Sequence, residues 1–186
     1  MRALAIAAVT LGSASILFSG VVQSAMADEI SSTVSGGALS AVTSGIVFPS
    51  ATLNGSNQVV TATAASEWSI TDARGTGEKW TLSVIATDLS SAQYDANTSI
   101  RTIPIENVVI IPGTITAGEG SDSANLISAS NMGLSESTQA FIWTHPTLGA
   151  KGTFTLTPEF NLNLPANAYK SNQLNPYIST ITFTIA

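Results

Sequence analysis

The sequence predicts an all-β protein: a single β-sandwich of Ig-like or Greek-key type with about seven to nine strands. Three observations carry this. Short stretches alternate apolar and hydroxyl side chains at period two, which turns one set toward a core and the other toward water. Gly, Pro and Asn punctuate the intervals, as in "SGG", "LNGSN", "RGTG", "PGT" and "LPAN". Charged residues make up only 10%, while Thr, Ser, Ala and Asn are abundant, a composition suited to strands with hydroxyl-bearing outer faces.

Ahead of the strands, Arg2 precedes the apolar stretch "ALAIAAVTLGSASILFSGVV", and "AMA" at 25–27 has the small residues a signal peptidase reads. The expectation is a cleaved Sec signal over 1–27 and one mature domain over 28–186, secreted to the cell surface. A membrane anchor is the competing reading of the apolar stretch. Gly12, Ser13, Ser15, Ser19 and Gly20 interrupt it and favour the signal. No membrane span is expected once the signal is removed.

The elements follow in order. "NQVVTATA" at 57–64 and "EWSITD" at 67–72 read as strands. Trp80, Leu82, Val84 and Ala86 share one face of the next, with Thr81, Ser83, Ile85 and Thr87 opposite. A short helix is expected around 88–97. "ENVVIIPGTIT" at 106–116 adds strand, and 118–138, the least patterned stretch, reads as a long surface loop. Trp143 follows Phe141 at strand spacing and is expected in the same inward row. Phe154 and Leu156, then Phe160, Leu162 and Leu164, alternate with Thr and Asn. The terminal strand aligns Tyr177, Ile181, Phe183 and Ile185 on one face. It is apolar enough that it must be paired within a sheet.

The net charge of −6 lacks any Lys/Arg cluster and disfavours nucleic acid and anionic membranes as partners. With no Cys, thiolate metal sites and thiol nucleophiles are excluded. His145, the single imidazole, stands before Pro146 on an expected turn, without a nucleophile-elbow pattern to complete a triad. Glu119, Asp122 and Asn125 gather oxygen ligands but lack the spacing of an EF-hand loop. The carboxylates are scattered, with no pair marked out for glycoside hydrolysis. "NGS" at 54–56 and "NTS" at 97–99 fit the N-glycosylation sequon, a chance match beside a bacterial-looking signal. No catalytic set and no cofactor is expected.

Three Trp remain, at 68, 80 and 143. Exposed, they would stack on sugar rings; buried, they would fill the core. Trp80 shares a face with Leu82 and Val84 and reads as core. Trp68 is open to either reading. Ahead of Trp80, "ITDARGTGEK" has no phosphate-loop context, since no helix follows. It reads as a hairpin connection, with Gly75 and Gly77 supplying turn conformations and Asp72 capping the turn through its side chain.

"ITDARGTGEKW" running into Trp80-Thr81-Leu82, together with "FTLTPEFNLNLPANAYKSNQLNPYISTITFTIA" at 154–186, resembles the WxL domain of Gram-positive cell-surface proteins. The "DARGTG" form is most similar to actinobacterial members, and the resemblance spans 35–186. Where the family's second motif often carries Trp-x-Leu, this chain has Phe183 and Ile185. "SNQLNP" at 171–176 also lengthens the approach to the last strand. The resemblance implies non-covalent association with cell-wall peptidoglycan or an associated polymer, often beside other exported surface proteins, and no enzymatic activity. The positions marked by the motif and its flanking turn are Trp80, Thr81, Leu82, Asp72, Arg74, Trp68 and Phe183. A structural subunit of a surface assembly formed by strand-edge or donor-strand pairing is the alternative, and a secreted hydrolase a more distant one.

Overall fold

The computed structural model describes residues 32–92 and 101–186; the expected signal segment and Asn97 of the second sequon lie outside them. The chain is all-β with sandwich layering, and its described residues form fourteen strands. The first seven are β1 (Leu39–Val42), β2 (Gln58–Thr63), β3 (Trp68–Asp72), β4 (Thr81–Ala86), β5 (Leu89–Ser91), β6 (Arg101–Ile103) and β7 (Val108–Ile111). The rest are β8 (Thr116–Ala117), β9 (Ile127–Ala129), β10 (Met132–Gly133), β11 (Gln139–Thr144), β12 (Gly152–Leu156), β13 (Glu159–Leu164) and β14 (Ile181–Ile185). The number exceeds the seven to nine expected because several strands are only two or three residues long, too short for alternation to register.

Every pairing among these strands is antiparallel. The first sheet has the order β1-β3-β12-β8, the second β10-β7-β13-β2 and the third β14-β4-β11-β9; β5 and β6 form a separate ribbon. The inward rows expected from alternation are in place: Trp80, Leu82, Val84 and Ala86, Phe154 and Leu156, and Phe160, Leu162 and Leu164 are all buried. Trp68 links the layers. From the first sheet its indole meets Phe160 of the second at 6.3 Å, and Phe141 and Phe183 of the third at 6.4 and 4.6 Å. Edge and tilted contacts of this kind suit the aromatic quadrupole. Its Nε1–H donates to Ser44 Oγ at 3.1 Å, which resolves the ambiguous position as core.

Four expectations are corrected. The segment from Asp72 to Trp80 is no hairpin: β3 belongs to the first sheet and β4 to the third, so the run is a crossover between layers. Within 88–97, Leu89–Ser91 is strand rather than helix, because Leu89 and Ser91 point inward at period two; 93–97 lies outside the described residues. The stretch 118–138 is not one long loop. It holds a 3-10 turn at Ala124–Leu126, the strands β9 and β10, and the buried side chains of Ile127 and Leu134.

The fourth correction concerns Trp143. Along β11, Ala140 pairs with Ser83 but Ile142 pairs with Leu82, leaving Phe141 as a bulged extra residue. Phe141 and Ile142 are both fully buried, and side-chain parity reverses beyond them. Trp143 therefore faces outward opposite Thr81, half-buried, while Thr144 turns in. The terminal strand β14 is paired with β4 at the edge of the third sheet, with β1 passing beside it.

Candidate functional site

The motif run forms a clamp. Asp72 is 1% exposed at the end of β3. Its Oδ1 accepts from Arg74 N and Arg74 Nε, each at 3.0 Å, and its Oδ2 accepts from Arg74 Nη2 at 3.0 Å. The same Nη2 donates to the carbonyls of Glu78 (2.9 Å) and Lys79 (3.3 Å), and Nη1 lies 3.5 Å from Glu78 Oε2. One guanidinium thus closes the whole crossover. The hydrogen bonds from Arg74, with its charge, hold the Asp72 carboxyl below the usual carboxylate range against the opposing effect of burial. The same pairing raises Arg74.

Positive φ at Gly75 (75°) and Gly77 (72°) allows the loop its course. Neighbouring backbone then locks it. Gly37 N–H donates to Ala73 O at 2.7 Å, and Gly149 N–H donates to Gly77 O at 3.0 Å. A Cβ on Gly149 would stand 2.2 Å from Glu78 O. The crossover delivers Trp80 into the core, where Nε1–H donates to Ala150 O at 2.9 Å and the backbone N–H donates to Thr144 Oγ1 at 3.1 Å.

Of the seven positions marked in the sequence, Trp68, Trp80, Leu82 and Asp72 are buried and present no open face. Arg74 is committed to the clamp. Phe183 packs on Trp68 and borders a depression of about 400 Å3 with Phe160 and Thr43. Thr81 alone is turned outward on the third sheet. There it joins Lys79, Ser130, Ala140, Trp143 and Pro146 around an open depression of about 490 Å3. The sequence pattern marks neither Lys79 nor Ser130, uses Pro146 only to place His145 on a turn, and points Trp143 inward. The signal for Trp143 was the pair Phe141-Ile142, two adjacent bulky apolar residues that strict alternation would have split between core and water.

Some hydroxyls on the outer faces pair within their own sheet, while others, such as Ser69 and Thr155 on the first and Thr63 on the second, carry no such bond among the described residues. On the first sheet Thr71 and Thr153 hydroxyls bond across strands at 3.1 Å, and on the second Thr61 donates to Asn161 Oδ1 at 2.6 Å. On the third, no such bond among the described residues occupies the hydroxyls of Thr81, Ser83, Ser128, Ser130, Thr182 or Thr184. The half-buried, outward-facing indole of Trp143 stands among hydroxyls still available to a ligand.

Elsewhere, His145 sits on an exposed turn with Nδ1 3.0 Å from Thr147 Oγ1. Asp122 accepts from Lys151 N at 2.9 Å and pairs with its ammonium at 3.4 Å, which lowers its pKa. No group of three or more metal-ligating side chains occurs among the described residues, and no helix among them is long and apolar enough to cross a membrane. Comparison of the chain with protein-family models, with curated proteins and with solved structures gave no match to any of them.

Proposed function

We propose that this protein is an exported, WxL-like surface module that associates non-covalently with the Gram-positive cell wall through peptidoglycan or a polymer attached to it. The observation that carries the reading is the outer face of the third sheet, where half-buried Trp143 stands among unoccupied hydroxyls. An aromatic ring flanked by hydroxyl donors and acceptors suits the alternating apolar and polar faces of a sugar. The motif resemblance supports the same reading. The buried Trp80-x-Leu82 would then act as scaffold, with the Asp72–Arg74 clamp holding the crossover beneath the face. Mixing purified protein with isolated peptidoglycan sacculi and pelleting them tests it: the protein is expected in the pellet, and complete recovery in the supernatant refutes wall association.

A second reading, assembly by strand-edge pairing, is favoured by β2, which ends the second sheet with Val59 64% exposed. It predicts a sedimentation coefficient that rises with concentration, and a monomer at all concentrations rules it out.

A further inference from the structure

The depression beside Trp143 contains one cation, and its placement narrows the ligand. Lys79 immediately precedes the inward Trp80 and shares the outward parity of Thr81, the residue directly opposite Trp143. Two residues along an extended chain place its Cα about 7 Å from that of Thr81. Neighbouring Glu78 reaches toward Arg74, Lys151 pairs with Asp122, and no carboxylate among the described residues pairs with Lys79. In a chain of net charge −6, an exposed lysine without a carboxylate partner beside an aromatic face is a localised point of positive charge.

We infer that this depression binds a carboxylate-bearing sugar polymer, one ring stacking on Trp143 while the carboxylate of that ring or its neighbour meets the Lys79 ammonium. Thr81 and Ser130 hydroxyls complete the contact. The chemistry favours a uronic-type sugar over a polyol phosphate, because a uronate polymer supplies both a ring face for the indole and a carboxylate for the ammonium. A polyol chain offers charge but no ring for the indole. The inference rests on the wall-binding reading and specifies its ligand.

The test is titration of the purified protein with an oligogalacturonate and with its carboxyl-reduced counterpart, followed by tryptophan fluorescence. Binding of the acidic oligosaccharide is expected to be tighter by about threefold to fivefold at low salt, the range of an exposed ion pair, with the difference shrinking as salt rises. Lys79→Gln should erase that difference. Trp143→Ala should weaken both ligands by about tenfold while the circular dichroism spectrum stays native. Equal binding of the two sugars, or discrimination that survives Lys79→Gln, overturns the inference. Sacculus pelleting separates the two failures. If Trp143→Ala and Lys79→Gln pellet like the parent protein, wall association stands and this site is refuted. If the parent protein does not pellet yet binds the oligogalacturonate through these residues, the wall reading falls and the site stands.

Discussion

Asp72 and Arg74, two residues apart, meet through two parallel N–H···O bonds, Nε to Oδ1 and Nη2 to Oδ2, both 3.0 Å long. The carboxylate is buried, whereas the guanidinium keeps 22% of its side-chain surface. Asp72→Asn would leave the fork of Arg74 without its charged partner, at about 2 kcal/mol of stability near neutral pH. The folded pKa of Asp72 is lowered, so its contribution is complete above the unfolded value of about 3.9 and is lost as pH falls through the lower folded value. Thermal melts should therefore show a constant gap between Asp72→Asn and the parent at pH 5–7, narrowing in more acidic buffer.

Gly149 has a backbone role that a methyl group would end. With Glu78 O at 2.2 Å and Gly77 O at 2.5 Å from its would-be Cβ, Gly149→Ala must push the turn off the crossover. A loss of about 2 kcal/mol is expected in urea unfolding. Gly45→Ala, with nothing within 4 Å of the added methyl, should stay within about 0.5 kcal/mol of the parent.

Thr144 Oγ1 is the partner of the Trp80 backbone N–H inside the core. Thr144→Val keeps the shape and removes the acceptor, leaving a buried donor unpaired, so a loss of about 1–3 kcal/mol is expected by denaturant unfolding.

The three tryptophans should separate in solution. Trp68 and Trp80 are each 1% exposed, whereas Trp143 is open to the depression. Acrylamide should quench a single indole of the native protein, and Trp143→Phe should remove the quenchable fraction. Trp80→Ala, by contrast, should lose about 3–5 kcal/mol and most soluble expression.

Much of the fold was legible because it depends on period-two alternation, which reports directly which side of a sheet a residue faces. The rows through Trp80, Phe154 and Phe160 needed nothing more. What alternation cannot convey is which strand pairs with which. The turn chemistry of Asp72, Gly75 and Gly77 was read correctly, yet a tight glycine-rich link between two strands serves a hairpin and a change of sheet equally well. The short strands β8, β9 and β10 owe their existence to neighbours distant in sequence. The outward face of Trp143 was hidden by a single unpaired residue.

That residue, Phe141, acts as a frameshift in space. Upstream of it, odd positions of β11 face the core; downstream, even ones do. The buried Phe141-Ile142 pair and the outward-facing Trp143 are two products of one backbone event. Register drift that took Trp143 out of the solvent row would bring Ile142 into it. Core and surface are thereby written in the same three letters, and the protein cannot revise its outer aromatic face through this strand's alignment without also revising its interior.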